Sequence, residues 1–161
     1  MNKKIVYPAV AASLIVLLLG LGAAFSDSRS DADDSGDISW YSYEDGVEQI
    51  KKDDKKGYIH FYTDWCGYCK KMEDETFSDS DVADNLNHDF VAIKVNAEDE
   101  PDIARQYGAS QFPYNHFTDR ENETIGNQPG FIPPDMMVNL LKYLSTDDYK
   151  KMQFDEFMDS R

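Results

Sequence analysis

Trp65-Cys66-Gly67-Tyr68-Cys69-Lys70 holds both cysteines of the 161-residue chain, at the C-x-x-C spacing. A structural zinc site needs four ligands, and two cysteines supply half of one. The other ligands would have to come from His60, His88 and His116, which stand singly and not at the H-x3-5-H spacing of known zinc sites. No metal is therefore expected. A purely structural bridge gains little here, because closing so short a loop removes little chain entropy from the unfolded state. The pair reads as redox chemistry, with no cofactor expected beyond a redox-active disulfide, Cys66–Cys69.

The amino terminus suggests where such chemistry is permitted. Lys3 and Lys4 precede residues 5–26, a run without a charged side chain centred on the apolar stretch 10–20. A positive n-region before an apolar h-region is the pattern of a secretory leader, and Gly22-Ala23-Ala24 supplies small residues for cleavage near Phe25. An uncleaved anchor is the competing reading, since the run approaches the roughly 20 residues that span a bilayer. In both readings the lysine end stays cytoplasmic. Everything after residues 1–25 is then extracytoplasmic, in a bacterial periplasm or anchored at its membrane, with membrane contact only through residues 5–25 if they are kept.

Residues 26–37 are polar and acidic. They offer no large apolar side chain to offset their own ordering entropy and read as a flexible linker. The remaining residues, about 120 of them, suffice for one domain. The formal charge is −15, and loss of Lys3 and Lys4 with a leader makes it two units more negative. Such an excess excludes nucleic acid, whose phosphates demand a basic face. It favours solubility and basic partners.

Hydrophobic spacing predicts alternating elements. Residues 44–52 carry Val47 and Ile50 among charges and read as an amphipathic helix, whereas 58–63 are aromatic and β-branched and read as a strand. A helix is expected over 66–77, a short helix around Val82 and Leu86, and a second strand over 90–95. Residues 99–107 read as a helix stopped by Gly108. Residues 114–118 and 123–126 flank a polar turn and suggest an antiparallel hairpin. Residues 135–144 follow Pro133 and Pro134 and repeat apolar side chains at helical spacing. Strands alternating with helices, then a hairpin and a closing helix, describe an α/β fold: a mixed central sheet flanked by helices, in a single domain. Residues 146–161 form a carboxy-terminal extension, whose aromatics suit either a docking helix or packing on the domain.

This order, with the cysteines just after a strand and opening a helix, resembles the thioredoxin fold. Around the motif, the run from His60 to Asp79 followed by Val82 resembles the carboxy-terminal domain of the membrane electron carrier DsbD and related secreted thioredoxin-like proteins. Further on, Tyr107-Gly-Ala-Ser-Gln-Phe-Pro113 resembles the segment of thioredoxins that carries a cis proline facing the active site. The similarity covers residues 38–144, and the thioredoxin-like domain is expected over 38–145.

A thiol at a helix amino terminus has a lowered pKa, so Cys66 is the expected nucleophile and Cys69 the resolving thiol. Glu73 lies four residues after Cys69 and seven after Cys66 on one helical stripe. The resemblance implies for it a proton-handling role at the resolving cysteine. His60 stands where the family has a buried aspartate that serves the resolving cysteine. An imidazole titrating near neutrality takes that part in this reading, and a neutral or positive neighbour favours easier reduction of the pair. Trp65, Gly67, Tyr68, Phe112 and Pro113 are the expected substrate-binding residues, the last through the backbone of its loop.

Gly67-Tyr68 is the pair found between the cysteines of the isomerase DsbC, whereas Gly-Pro marks reducing thioredoxins. The preferred expectation is an extracytoplasmic oxidoreductase that reduces or exchanges disulfides of partner proteins, fed by a membrane electron donor of the DsbD/CcdA type. Isomerase or oxidase action, and a non-catalytic binding module on the same fold, are the alternatives. A potential below about −230 mV against glutathione marks a reductase, and one toward roughly −120 mV an oxidase.

Overall fold

A computed structural model of the chain describes residues 37–161. The leader or anchor expected over 1–25 and nearly all of the linker expected over 26–37 lie outside the described residues. Among those described, no helix is long and apolar enough to cross a membrane.

The chain enters through β1 (Trp40–Tyr41) and α1 (Tyr43–Asp53). Ser42 caps α1 by accepting the Asp45 amide, Glu44 and Asp45 occupy its first turn, and Lys51 and Lys52 its last, a charge order that complements the helix dipole. β2 (Lys56–Tyr62) follows, buried along almost its whole length. Then come α2 (Gly67–Lys71), a π-helical turn (Met72–Thr76), α3 (Ser80–Asp89), β3 (Phe90–Asn96) and α4 (Pro101–Gln106). The hairpin is β4 (Tyr114–Thr118) and β5 (Thr124–Pro129), and α5 (Pro134–Ser145) closes the layer.

The sheet order is β1-β3-β2-β4-β5, with β1, β3 and β2 parallel and β4 and β5 antiparallel. β2 thus has a partner on each side, and its side chains are covered on both faces of the sheet, which is why it is a near-continuous apolar and aromatic run. Side-chain alternation divides the core. Tyr58 faces Met72, Phe77, Leu86 and Leu141, while Ile59 and Phe61 face Ile50, Val95 and Ala104.

Two expectations are corrected and one element is added. Residues 66–77 are not one regular helix, because α2 widens after Lys71 and Phe77 donates its amide to the Met72 carbonyl at 2.8 Å, five residues back. The wider turn lets Met72, Thr76 and Phe77 all reach the interior. The second hairpin strand runs on to Pro129. β1 has no counterpart in the sequence reading, since two residues are too short for periodicity to register.

The extension packs on the domain. A 3-10 turn (Asp148–Lys150) leads to α6 (Phe154–Asp159), whose Phe157 is buried. The Tyr143 hydroxyl donates to the Met152 carbonyl at 2.6 Å. Lys56, buried at the start of β2, reaches Asp147 at 3.0 Å and the Ser145 carbonyl at 3.1 Å.

Candidate active site

Cys66 and Cys69 lie beyond the carboxyl end of β2 and are joined as a disulfide. Cys66 caps α2, and its sulfur accepts the Cys69 amide at 3.0 Å. An amide aimed at a sulfur stabilises the thiolate over the thiol, so the cap geometry favours ionisation of Cys66 once the bridge is open. Both sulfur-bearing residues are largely covered, Cys66 being 7% exposed and Cys69 3%.

A depression of about 180 Å³ beside the cysteines is lined by Tyr62, Thr63, Asp64, both cysteines, Lys70, Glu73 and Lys94. Glu73 is therefore brought to the cysteines. Its carboxylate is held at 2.7 Å by the ammonium of Lys94, which lies over the rings of Trp40 and Tyr62 at 5.5 and 5.0 Å. Lys94 escaped the sequence reading. The available signal was a single charge inside the apolar strand of residues 90–95, but the parallel register that sets Lys94 beside His60 is a tertiary fact. Lys70, at the rim of the same depression, pairs its ammonium with Asp74 at 3.2 Å in an exposed ion pair.

His60 does not line the depression. It lies one layer below, fully buried, parallel to Tyr62 and edge-on to Phe77 at 4.9 Å between ring centres. Its Nδ1 is 3.1 Å from the Asn115 Oδ1, which also accepts the Tyr58 hydroxyl at 2.7 Å. The Asn115 amide nitrogen donates to the Gln128 and Gly130 carbonyls, so its oxygen faces the histidine and Nδ1 is the protonated nitrogen. Nε2 has no partner among the described residues. Burial lowers the His60 pKa from 6.5 to about 4, with the Asn115 bond acting against the shift and the charge of Lys94 adding to it. The expectation of an imidazole titrating near neutrality is thus corrected: His60 is neutral at physiological pH, because its ring lies in an apolar layer beside a cation.

The expected binding residues divide into a cluster and a remainder. Trp65 is 71% exposed, held by its indole N–H to Glu98 at 3.1 Å, and Phe112 meets its ring edge at 6.4 Å. Tyr68 is 65% exposed and Gly67 lies open beside it. The Phe112–Pro113 bond is cis, and the Pro113 carbonyl accepts the Gly130 amide at 2.8 Å. Tyr114 turns inward and packs with Phe61. Glu98, which also accepts the Asp64 amide, and Asn115 are the other members that sequence reasoning missed. Among the described residues, no group of three or more His, Cys, Asp or Glu is placed to hold a metal ion.

The family model for a thioredoxin-like domain matches residues 43–145. Human spermatogenesis-associated protein 20 is 28% identical over 71 residues, 44% of this chain and 9% of that protein. This chain thus spans about a tenth of that relative's length. A putative thioredoxin 2 of Streptomyces coelicolor is 27% identical over 110 residues, covering 66% of this chain and 78% of that one. The solution structure of a thioredoxin from Thermus thermophilus superposes with a TM-score of 0.61 at 21% identity, over 66% of this chain and 86% of that one. With the same layered sheet and a cysteine pair at the end of its central strand, the chain belongs to the thioredoxin-like domain family.

Proposed function

We propose that the protein is a thiol-disulfide oxidoreductase acting on the cysteines of partner proteins outside the cytoplasm. The observation that carries this reading is the Cys66–Cys69 disulfide with the Cys66 sulfur capping α2. In the reduced protein the Cys66 thiolate attacks one sulfur of a client disulfide. A mixed disulfide forms, and the client's other sulfur leaves as a thiolate. The Cys69 thiol then loses its proton and attacks the Cys66 sulfur, which releases the second client thiol and regenerates the bridge seen in the structure. Two electrons have passed to the client, and a dithiol donor must return them to Cys66 and Cys69.

Glu73 is the acceptor for the Cys69 proton in this scheme. It shares the depression with both cysteines, and the Lys94 ammonium fixes its position. Lys94 adds positive potential at the sulfurs, which favours thiolate. Trp65, Tyr68 and Phe112 present the apolar surface on which client chain rests. The extracytoplasmic placement is supported by the charge order of residues 3–26, and a membrane dithiol donor of the DsbD/CcdA type fits that placement.

The test is reduction of insulin by the described domain with a dithiol donor. Wild type turns over, Cys66→Ala is inert, and Cys69→Ser accumulates mixed disulfides with clients. Retention of activity by Cys66→Ala overturns the proposal. Equilibration with glutathione then reads the direction of electron flow.

A further inference from the structure

The residues of the extension lie beyond the span matched by the family model, yet one of them helps to wall a cavity tied to the cysteine site. The cavity holds about 340 Å³ and is lined by Phe131, Ile132, Pro133, Met136, Leu140 and Phe154, with Gln128 at its edge. No charged side chain lines it, in a chain where 29% of residues are charged. Its size is at the lower end of sites that enclose a small molecule, enough for a bulky apolar side chain. Met136, at the mouth, is 44% exposed, an uncommon placement for a large apolar residue on an acidic surface.

Three contacts tie this cavity to the cysteines. The Thr76 hydroxyl donates to the Ile132 carbonyl at 2.6 Å, fixing the cavity loop to the helical segment that carries Cys66 and Cys69. Lys71, two residues after Cys69, lies 4.3 Å over the Phe131 ring. The Gly130 amide binds the Pro113 carbonyl, joining the same loop to the proline loop beside Trp65. On the far side Phe154 is held by stacking on Phe157 and by Tyr143, so the wall supplied by the extension is fixed.

We propose that this cavity is a specificity subsite of the exchange reaction, taking one bulky apolar side chain of the client segment that flanks the reacting half-cystine. The proposal rests on the exchange activity proposed above. The occupant is an extended stretch of client polypeptide, since the cavity loop is held to the cysteine-bearing segment through Thr76 and Lys71 and to the cis-proline loop through Gly130. The surrounding acidic molecule favours basic residues elsewhere in that stretch. The extension is thus a client-selecting element added to a common scaffold.

The experiment compares basic peptides that carry one cysteine in mixed disulfide with glutathione. One series has phenylalanine at successive positions around the cysteine, the other glycine at the same positions. The wild-type kcat/KM for the best phenylalanine peptide is expected to exceed that of its glycine counterpart about tenfold. Met136→Ala and Phe154→Ala each bring that ratio toward one, while their rates with hydroxyethyl disulfide, too small to reach the cavity, stay at the wild-type level. Equal wild-type rates for the two series, with hydroxyethyl disulfide still reduced, overturn the subsite and leave the exchange reading intact. Failure to reduce hydroxyethyl disulfide at all overturns the exchange reading itself. A concentration-dependent dimer in sedimentation that Met136→Ala abolishes, with unchanged peptide ratios, assigns the cavity to a second copy and overturns the proposal.

Discussion

At the scale of single residues, His60 shows how burial reassigns a side chain. Its pKa and that of His116 both fall from 6.5 to about 4, in each case chiefly through burial. A lowered folded-state pKa means that the unfolded chain binds the proton more readily. Their contribution to stability is therefore complete above about pH 6.5 and is lost as the pH falls through 4, up to roughly 3 kcal/mol for each histidine. Urea unfolding at pH 7 and pH 4.5 is expected to show this loss, with a smaller difference in His60→Gln; an equal loss in that variant removes His60 from the account. Lys94 acts in the other direction, on the sulfurs. Lys94→Met withdraws positive charge from the depression and leaves Glu73 uncompensated, which destabilises thiolate. The pair should become more reducing by on the order of 30 mV against glutathione, and Cys66 should alkylate more slowly at pH 7.

At the scale of elements, the cysteine segment and the extension depart most from a generic pattern. The π-helical turn after α2 puts Met72 and Phe77 in one core cluster while Glu73 stays at the rim beside Cys69. Nothing in the residue types of 66–77 announces that turn, since Lys70, Lys71, Met72 and Glu73 all suit a regular helix. The extension is better marked, because aromatics recur among its charges. Phe157 packs on Tyr143, and Asp147 takes up the charge of buried Lys56. Phe157→Ala is expected to cost about 3 kcal/mol in equilibrium unfolding, by removing a buried aromatic and leaving a void under α6. Reduction of hydroxyethyl disulfide in native buffer should persist in the same variant, which separates the stability of the extension from the chemistry of the cysteines.

At the scale of the whole molecule, the net charge of −15 becomes a rate effect. Long-range attraction should speed association with basic clients at low salt and slow it with acidic ones, and both effects are screened within about 10 Å at 0.1 M salt. The kcat/KM for a basic peptide disulfide is therefore expected to fall as salt rises, and that for an acidic peptide to rise. Identical salt dependence for the two would show that the charge has no part in client encounter.

The division between what was legible in the chain and what was not follows from the range of the forces involved. Strand and helix periods, the C-x-x-C spacing and the hairpin turn are local regularities, and they sufficed for the fold class and for the Cys66–Cys69 pair. Lys94 beside His60, Asn115 beneath the strand, and Phe154 across from Phe131 are meetings of residues distant in sequence, set by sheet register and by helix packing. The neutrality of His60 belongs with them, because a pKa depends on the dielectric and the charges around a group, and these exist only once the layers have closed over it. The chemistry of the opening hexapeptide was written in its residue types; the partners that tune it, and the cavity beside it, came from tertiary packing alone.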